Sequence, residues 1–143
     1  MKIKKKELLF IFYFLIIYTL LSILFLQTIA GNLISLWEYF IKIIFGNFFN
    51  YQAFIFVPEC SGVISISIYL GIIISAKITY YKRVNLKKVL RSIIWLLVAN
   101  FLRLLIVLWS EKISLGVAKV THIVFWFLMG LVILYLAMKS FRK

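Results

Sequence analysis

Four long apolar stretches constrain this 143-residue chain more than any other feature of its sequence. A helix of about 20 predominantly apolar residues is long enough to cross the hydrocarbon core of a bilayer. Stretches of that kind cover about residues 8–30, 60–80, 92–109 and 121–138. The sequence therefore predicts an all-α integral membrane protein, a single transmembrane domain with four membrane-spanning helices.

The composition excludes several other classes of protein. Apolar residues make up 65% of the chain, whereas soluble domains contain about 45–50%. A single cysteine excludes a disulfide scaffold, and the high hydrophobicity excludes intrinsic disorder. The net charge of +13 is a feature of nucleic-acid-binding proteins. Most of the basic residues lie at the ends of apolar runs, however, which is typical of membrane topology signals and predicts no nucleic-acid partner.

The basic residues divide unequally between the two sides of the predicted bundle. One side holds thirteen: Lys2, Lys4, Lys5, Lys6, Lys77, Lys82, Arg83, Lys87, Lys88, Arg91, Lys139, Arg142 and Lys143. The other side holds three: Lys42, Lys112 and Lys119. Because positive residues favour the cytoplasmic side, the count predicts a multi-pass plasma-membrane protein with both termini in the cytoplasm.

The N-terminal third combines an anchor with an amphipathic segment. We interpret the first apolar run as an uncleaved anchor, with a signal peptide cleaved near residues 28–30 as the alternative. Apolar residues recur at helical spacing over residues 32–49, which predicts an amphipathic helix on the outer membrane surface; a short loop is the alternative. Residues 51–57, aromatic and β-branched, are consistent with an extended or re-entrant segment.

Arg103 is the polar residue that membrane insertion explains least. An arginine within a span costs about 2.5–3.5 kcal/mol on insertion scales. It lies in the predicted third span, about 9 Å below its outer end. Its guanidinium either extends to the surface or acts as a functional cation inside the bundle. Asn100 lies three residues earlier, on the same helical face.

The only cysteine and the only histidine lie at the same predicted depth as Arg103. Cys60 begins the second predicted span and His122 begins the fourth, both at the outer end. Each alone is more typical of an ordinary structural residue, and the two cannot form a closed metal site, so we predict no metal and no cofactor. Together, a thiol, an imidazole and a guanidinium are suited to acyl transfer at a cysteine.

Three short motifs resemble the exosortase/archaeosortase family of membrane transpeptidases. They are Cys60-Ser61-Gly62, then Asn100 and Arg103 with two residues between them, then His122 at the head of a further span. The resemblance covers about residues 58–138. It implies that Cys60 is the nucleophile, Arg103 its electrostatic partner and His122 the general acid/base. Asn100, Ser61 and Gly62 would have binding or supporting roles.

The same resemblance implies a substrate and an acceptor. Members of the family act at the outer membrane surface on exported, membrane-anchored proteins with a C-terminal sorting signal. The suspected second step transfers the new carboxyl end to a lipid or another amine. Many members have more N-terminal spans than this chain, which leaves open a partner subunit.

Two further interpretations concern helix packing and the class of protein. Ser61, Ser65 and Tyr69 share one face of the second span, where they line a substrate groove or simply pack, and Gly71 and Gly130 are predicted as close-packing points. The alternatives to an enzyme are a non-catalytic membrane scaffold and a small transporter subunit in which Arg103 binds an anion.

Overall fold

The computed structural model describes residues 5–46 and 58–141, and in those ranges all the regular secondary structure is helical. Five α-helices and one short 3₁₀-helix follow each other along the chain. They are α1 (Lys5–Thr28), α2 (Ala30–Phe45), the 3₁₀-helix Pro58–Ser61, α3 (Val63–Tyr80), α4 (Leu86–Glu111) and α5 (Leu115–Phe141). Helices α1, α3, α4 and α5 are long and apolar enough to span a membrane. The predicted all-α, multi-pass class is confirmed.

Helices α4 and α5 begin earlier than the apolar stretches that predicted them. Asn85 caps α4, since its side chain accepts a hydrogen bond of 3.3 Å from the backbone N–H of Lys88. The hydroxyl of Ser114 accepts an equivalent bond of 3.1 Å from Val117 at the start of α5. Because such caps satisfy the otherwise unpaired N–H groups of a first turn, both helices extend into their polar flanks.

Helix α1 packs on α3 through small residues. Every fourth residue of the buried side of α3 is small: Ser67, Gly71, Ser75 and Thr79. A Cβ added at Gly71 would lie 3.2 Å from the ring of Phe14 in α1, so this glycine is a close-packing point as predicted. Small residues allow helix backbones to approach closely where lipid provides no hydrophobic driving force.

The core of the bundle lies between α3, α4 and α5. Its buried residues are Ile66, Tyr69, Ile73, Val89, Leu96, Met129, Ile133, Leu136 and Ala137. Within it, a hydrogen bond of 2.7 Å joins the hydroxyl groups of Tyr69 and Ser140. Tyr69 is therefore a packing residue that links α3 to α5, and it does not line a groove.

Helix α2 lies beside the end of α4 and contributes to the bundle. The ring of Trp37 stacks on Phe101, and Phe45 contacts Trp109 eight residues further along each helix. Because the two contacts are eight residues apart in both helices and follow the same order, α2 runs alongside the last turns of α4 in the same direction. The predicted amphipathic helix is confirmed as a helix, although its position on a membrane surface stays a prediction. Its predicted continuation to residue 49, and the segment 51–57, lie outside the described residues.

Candidate functional site

A cavity of about 460 Å³ lies between α3, α4 and α5, next to the 3₁₀-helix. Its polar lining comprises Cys60, Ser65, Asn100, Arg103 and His122. Its apolar lining comprises Ile64, Ile68, Trp126, Phe127, Met129, Gly130 and Ile133. The three residues predicted to form a reactive group therefore lie on the walls of one cavity, contributed by three separate elements.

Cys60 lies in the turn before α3, whereas the apolar pattern predicted it as the first residue of the span. Helix α3 begins at Val63, and Gly62 between them has a left-handed backbone with φ +93°. The thiol is free and only 8% exposed, packed with Trp37 and Leu104. The cysteine is thus on an irregular turn that presents its side chain to the cavity.

Two side-chain donors hold the backbone of this turn. Asn100 Nδ2 donates a hydrogen bond of 2.8 Å to the carbonyl oxygen of Cys60. Trp37 Nε1 donates one of 3.0 Å to the carbonyl oxygen of Ser61. The hydroxyl of Ser61 in turn accepts a bond of 3.3 Å from Val63 N. Ser61 and Gly62 do not line the cavity, so their place in the structure fits a supporting role rather than substrate binding.

Gly62 is required by the close approach of α4. A Cβ added at Gly62 would lie 3.0 Å from both Cγ and Nδ2 of Asn100, which is itself 1% exposed. The left-handed φ of Gly62 is also unfavourable for a residue with a side chain. The glycine of Cys60-Ser61-Gly62 therefore allows the chain to turn tightly while in close contact with the side chain of Asn100.

Arg103 is buried inside the bundle, with only 4% of its surface exposed. Its Nε has no hydrogen-bond partner among the described residues. Arg103 lines the same cavity as Cys60 and His122. Burial excludes the interpretation in which this side chain extends out to the membrane surface. Within residues 5–46 and 58–141, a buried Nε–H with no acceptor is a donor that an anionic or polar ligand could use.

His122 lies in the second turn of α5, whereas the apolar pattern predicted it at the helix start. The helix begins at Leu115 because Ser114 caps it, so His122 is about 10 Å along the axis. The imidazole is partly buried and lines the cavity. Despite the earlier helix start, His122 lines the same cavity as Cys60 and Arg103.

The sequence did not reveal two parts of this site. Trp37 is 24 residues from Ser61 and lies in another helix, so no local pattern connects them. The wall from Trp126 to Ile133 has the composition of an ordinary span. Gly130, predicted as a close-packing point, instead borders open space, because an added Cβ would meet nothing within 4 Å.

Comparison with known proteins finds no matching family model, no similar curated protein and no similar solved structure. Across residues 5–46 and 58–141 there is also no cluster of three metal-ligating side chains. The functional argument therefore depends on the cavity and on the chemistry of its lining.

Proposed function

We propose that this protein is a membrane-embedded cysteine peptidase or transpeptidase, resembling the exosortase/archaeosortase family. The observation that supports it is the presence of Cys60, Arg103 and His122 on the walls of one cavity. They are the only cysteine, the only histidine and the one basic residue within a predicted span core. A nucleophile, a base and a cation are the groups that acyl transfer requires.

The proposed reaction proceeds in two halves. His122 accepts the thiol proton of Cys60, and the sulfur attacks the carbonyl carbon of the scissile bond. Arg103 stabilises the oxyanion of the tetrahedral intermediate. The carbon–nitrogen bond then breaks, His122 protonates the leaving amine, and a thioester remains on Cys60. Water or an acceptor amine attacks this thioester, and the sulfur leaves as the thiolate.

The size of the cavity limits what part of a substrate enters it. A transmembrane helix of 20 residues, roughly 30 Å long and 10 Å wide, occupies about 2,400 Å³. The cavity, at about 460 Å³, holds a small fraction of that volume. A helical sorting signal would therefore pack outside, and only the few residues around the scissile bond would enter.

The cavity is accessible from the surface of the bundle that would face lipid. Trp126 and Phe127 line the cavity and are themselves more than half exposed. A substrate anchored in the bilayer could therefore approach laterally between α3 and α5. The charge distribution, with few basic residues at the Cys60 end, supports a site on the extracytoplasmic side.

The decisive experiment is mass spectrometry of the C-terminus of a co-expressed candidate substrate. Cys60→Ala should leave the precursor uncut, while the protein inserts normally. Arg103→Lys keeps the charge but loses the planar fork of donors, so we expect processing to fall at least tenfold. Arg91→Lys is the matched control, because Arg91 lies on the same helix and is exposed. Undiminished processing by Cys60→Ala would show that the proposed function is wrong.

One observation also favours a second candidate function. Arg103 is buried, and its Nε has no hydrogen-bond partner among the described residues, which suits an anion site in a transporter subunit. That function predicts a flux that responds to Arg103→Lys and is unaffected by Cys60→Ala. Measuring both variants in proteoliposomes therefore separates the two candidates.

A further inference from the structure

The turn that carries Cys60 is held from both sides by side chains of other helices. On one side, Trp37 of α2 donates to the carbonyl oxygen of Ser61 at 3.0 Å. On the other, Asn100 of α4 donates to the carbonyl oxygen of Cys60 at 2.8 Å. Two consecutive carbonyl groups outside regular α-helix thus have buried donors, as the interior of a membrane protein requires.

Trp37 is itself held in place. Its ring stacks on Phe101 at a centroid distance of 5.0 Å, and its surface is only 8% exposed. The indole N–H is a donor only, and this packing directs it at one acceptor. Phe101, on which Trp37 stacks, directly follows Asn100. The indole of Trp37 and the amide of Asn100 are therefore both held by the same turn of α4.

We infer that Trp37 is a positioning residue for Cys60, acting through the Ser61 carbonyl. This inference rests on the proposed function, in which the sulfur must approach a carbonyl carbon in a defined direction. The orientation of the Cys60 side chain depends on the backbone of its turn. Asn100 holds the Cys60–Ser61 peptide, which adjoins that side chain, and Trp37 holds the following Ser61–Gly62 peptide. Helix α2 is therefore part of the site as well as an amphipathic helix.

The test separates the donor from the ring. Trp37→Phe keeps an aromatic ring against Phe101 and removes the N–H. We expect kcat for processing to fall by roughly tenfold to a hundredfold, as for a small misplacement of a reacting group. KM should be unchanged, because Trp37 does not line the cavity. Trp95→Phe is the matched control, since Trp95 lies exposed on α4.

A second measurement needs no substrate. N-ethylmaleimide should alkylate Cys60 faster in Trp37→Phe than in Trp95→Phe, because the turn opens once a donor is lost. If Trp37→Phe processes the substrate more slowly but reacts with N-ethylmaleimide faster, Trp37 acts by positioning Cys60. Simple loss of folded protein would instead lower the amount of active protein and leave alkylation of the folded fraction unchanged.

A shape-matched variant keeps the inference testable if Trp37→Phe does not accumulate. Benzothienylalanine at position 37 replaces the N–H by sulfur and retains the bicyclic ring. Equal kcat and equal alkylation rates for it and for the parent protein would overturn the role of Trp37. Undiminished processing by Cys60→Ala would overturn the proposed function, while the alkylation comparison would still decide whether Trp37 holds the turn.

Discussion

Replacing Gly62 by alanine tests the geometry of the turn most directly. Gly62 has φ +93°, and a left-handed conformation costs a residue with a Cβ about 1–2 kcal/mol. The new Cβ would also lie 3.0 Å from the Asn100 amide, which is closer than an ordinary van der Waals contact. Asn100 is almost completely buried, so it has little room to move away.

The second part of the cost comes from the hydrogen bond that Asn100 makes. Displacing its amide breaks the 2.8 Å bond to the Cys60 carbonyl and leaves that buried oxygen without a donor. An unsatisfied buried acceptor costs about 1–3 kcal/mol. Together with the backbone strain, Gly62→Ala should lower the free energy of unfolding by about 2–5 kcal/mol.

The assay is reversible unfolding in mixed detergent micelles, followed by tryptophan fluorescence. Gly116→Ala is the control, because Gly116 lies exposed in α5 and an added Cβ meets only Ser114 Oγ, at 3.8 Å. The control should gain up to about 1 kcal/mol. In an Asn100→Ala background, Gly62→Ala should cost less, because only the backbone strain and the 3.2 Å approach to the Cβ at position 100 remain. Equal stability of the two glycine variants would refute the reasoning.

Two other substitutions test the cavity and the packing. Gly130→Leu should fill the space beside α5, so processing should fall while the free energy of unfolding in micelles stays unchanged or rises. Gly116→Leu is its control, and equal processing by the two variants would contradict the role of the cavity. Tyr69→Phe removes the bond to Ser140 and should cost about 0.6 kcal/mol in the same unfolding assay, with processing retained. Loss of processing in Tyr69→Phe would instead connect that bond to the site.

The helix boundaries show where a pattern of apolar residues stops being informative. The pattern located all four spans, because a bilayer requires continuous apolar surface of known length. It placed the start of α5 too late, since the first turns are exposed and contain polar residues. Ser114 before Val117 was a readable capping signal, and it would have placed His122 within the helix.

The candidate site shows a different limit. Cys60 and His122 stood out as the only cysteine and the only histidine, and Arg103 as the one basic residue within a predicted span core, where a charge is costly. Alternating topology predicted a shared depth for them, and the shared cavity is a finding of the structure. Trp37 did not stand out, because an aromatic residue in an amphipathic segment is ordinary and its partner lies in another helix.

The sequence by itself determined the class of the protein, and it predicted a common depth for Cys60, Arg103 and His122. Both depend on one-dimensional quantities, the length of apolar runs and the order of polar residues along them. The tertiary structure decided which faces of the helices meet, and hence that Arg103 is buried beside Cys60 rather than exposed. Which helix faces meet is set by side-chain packing between segments that are distant in sequence, and a local sequence pattern contains no information about that packing.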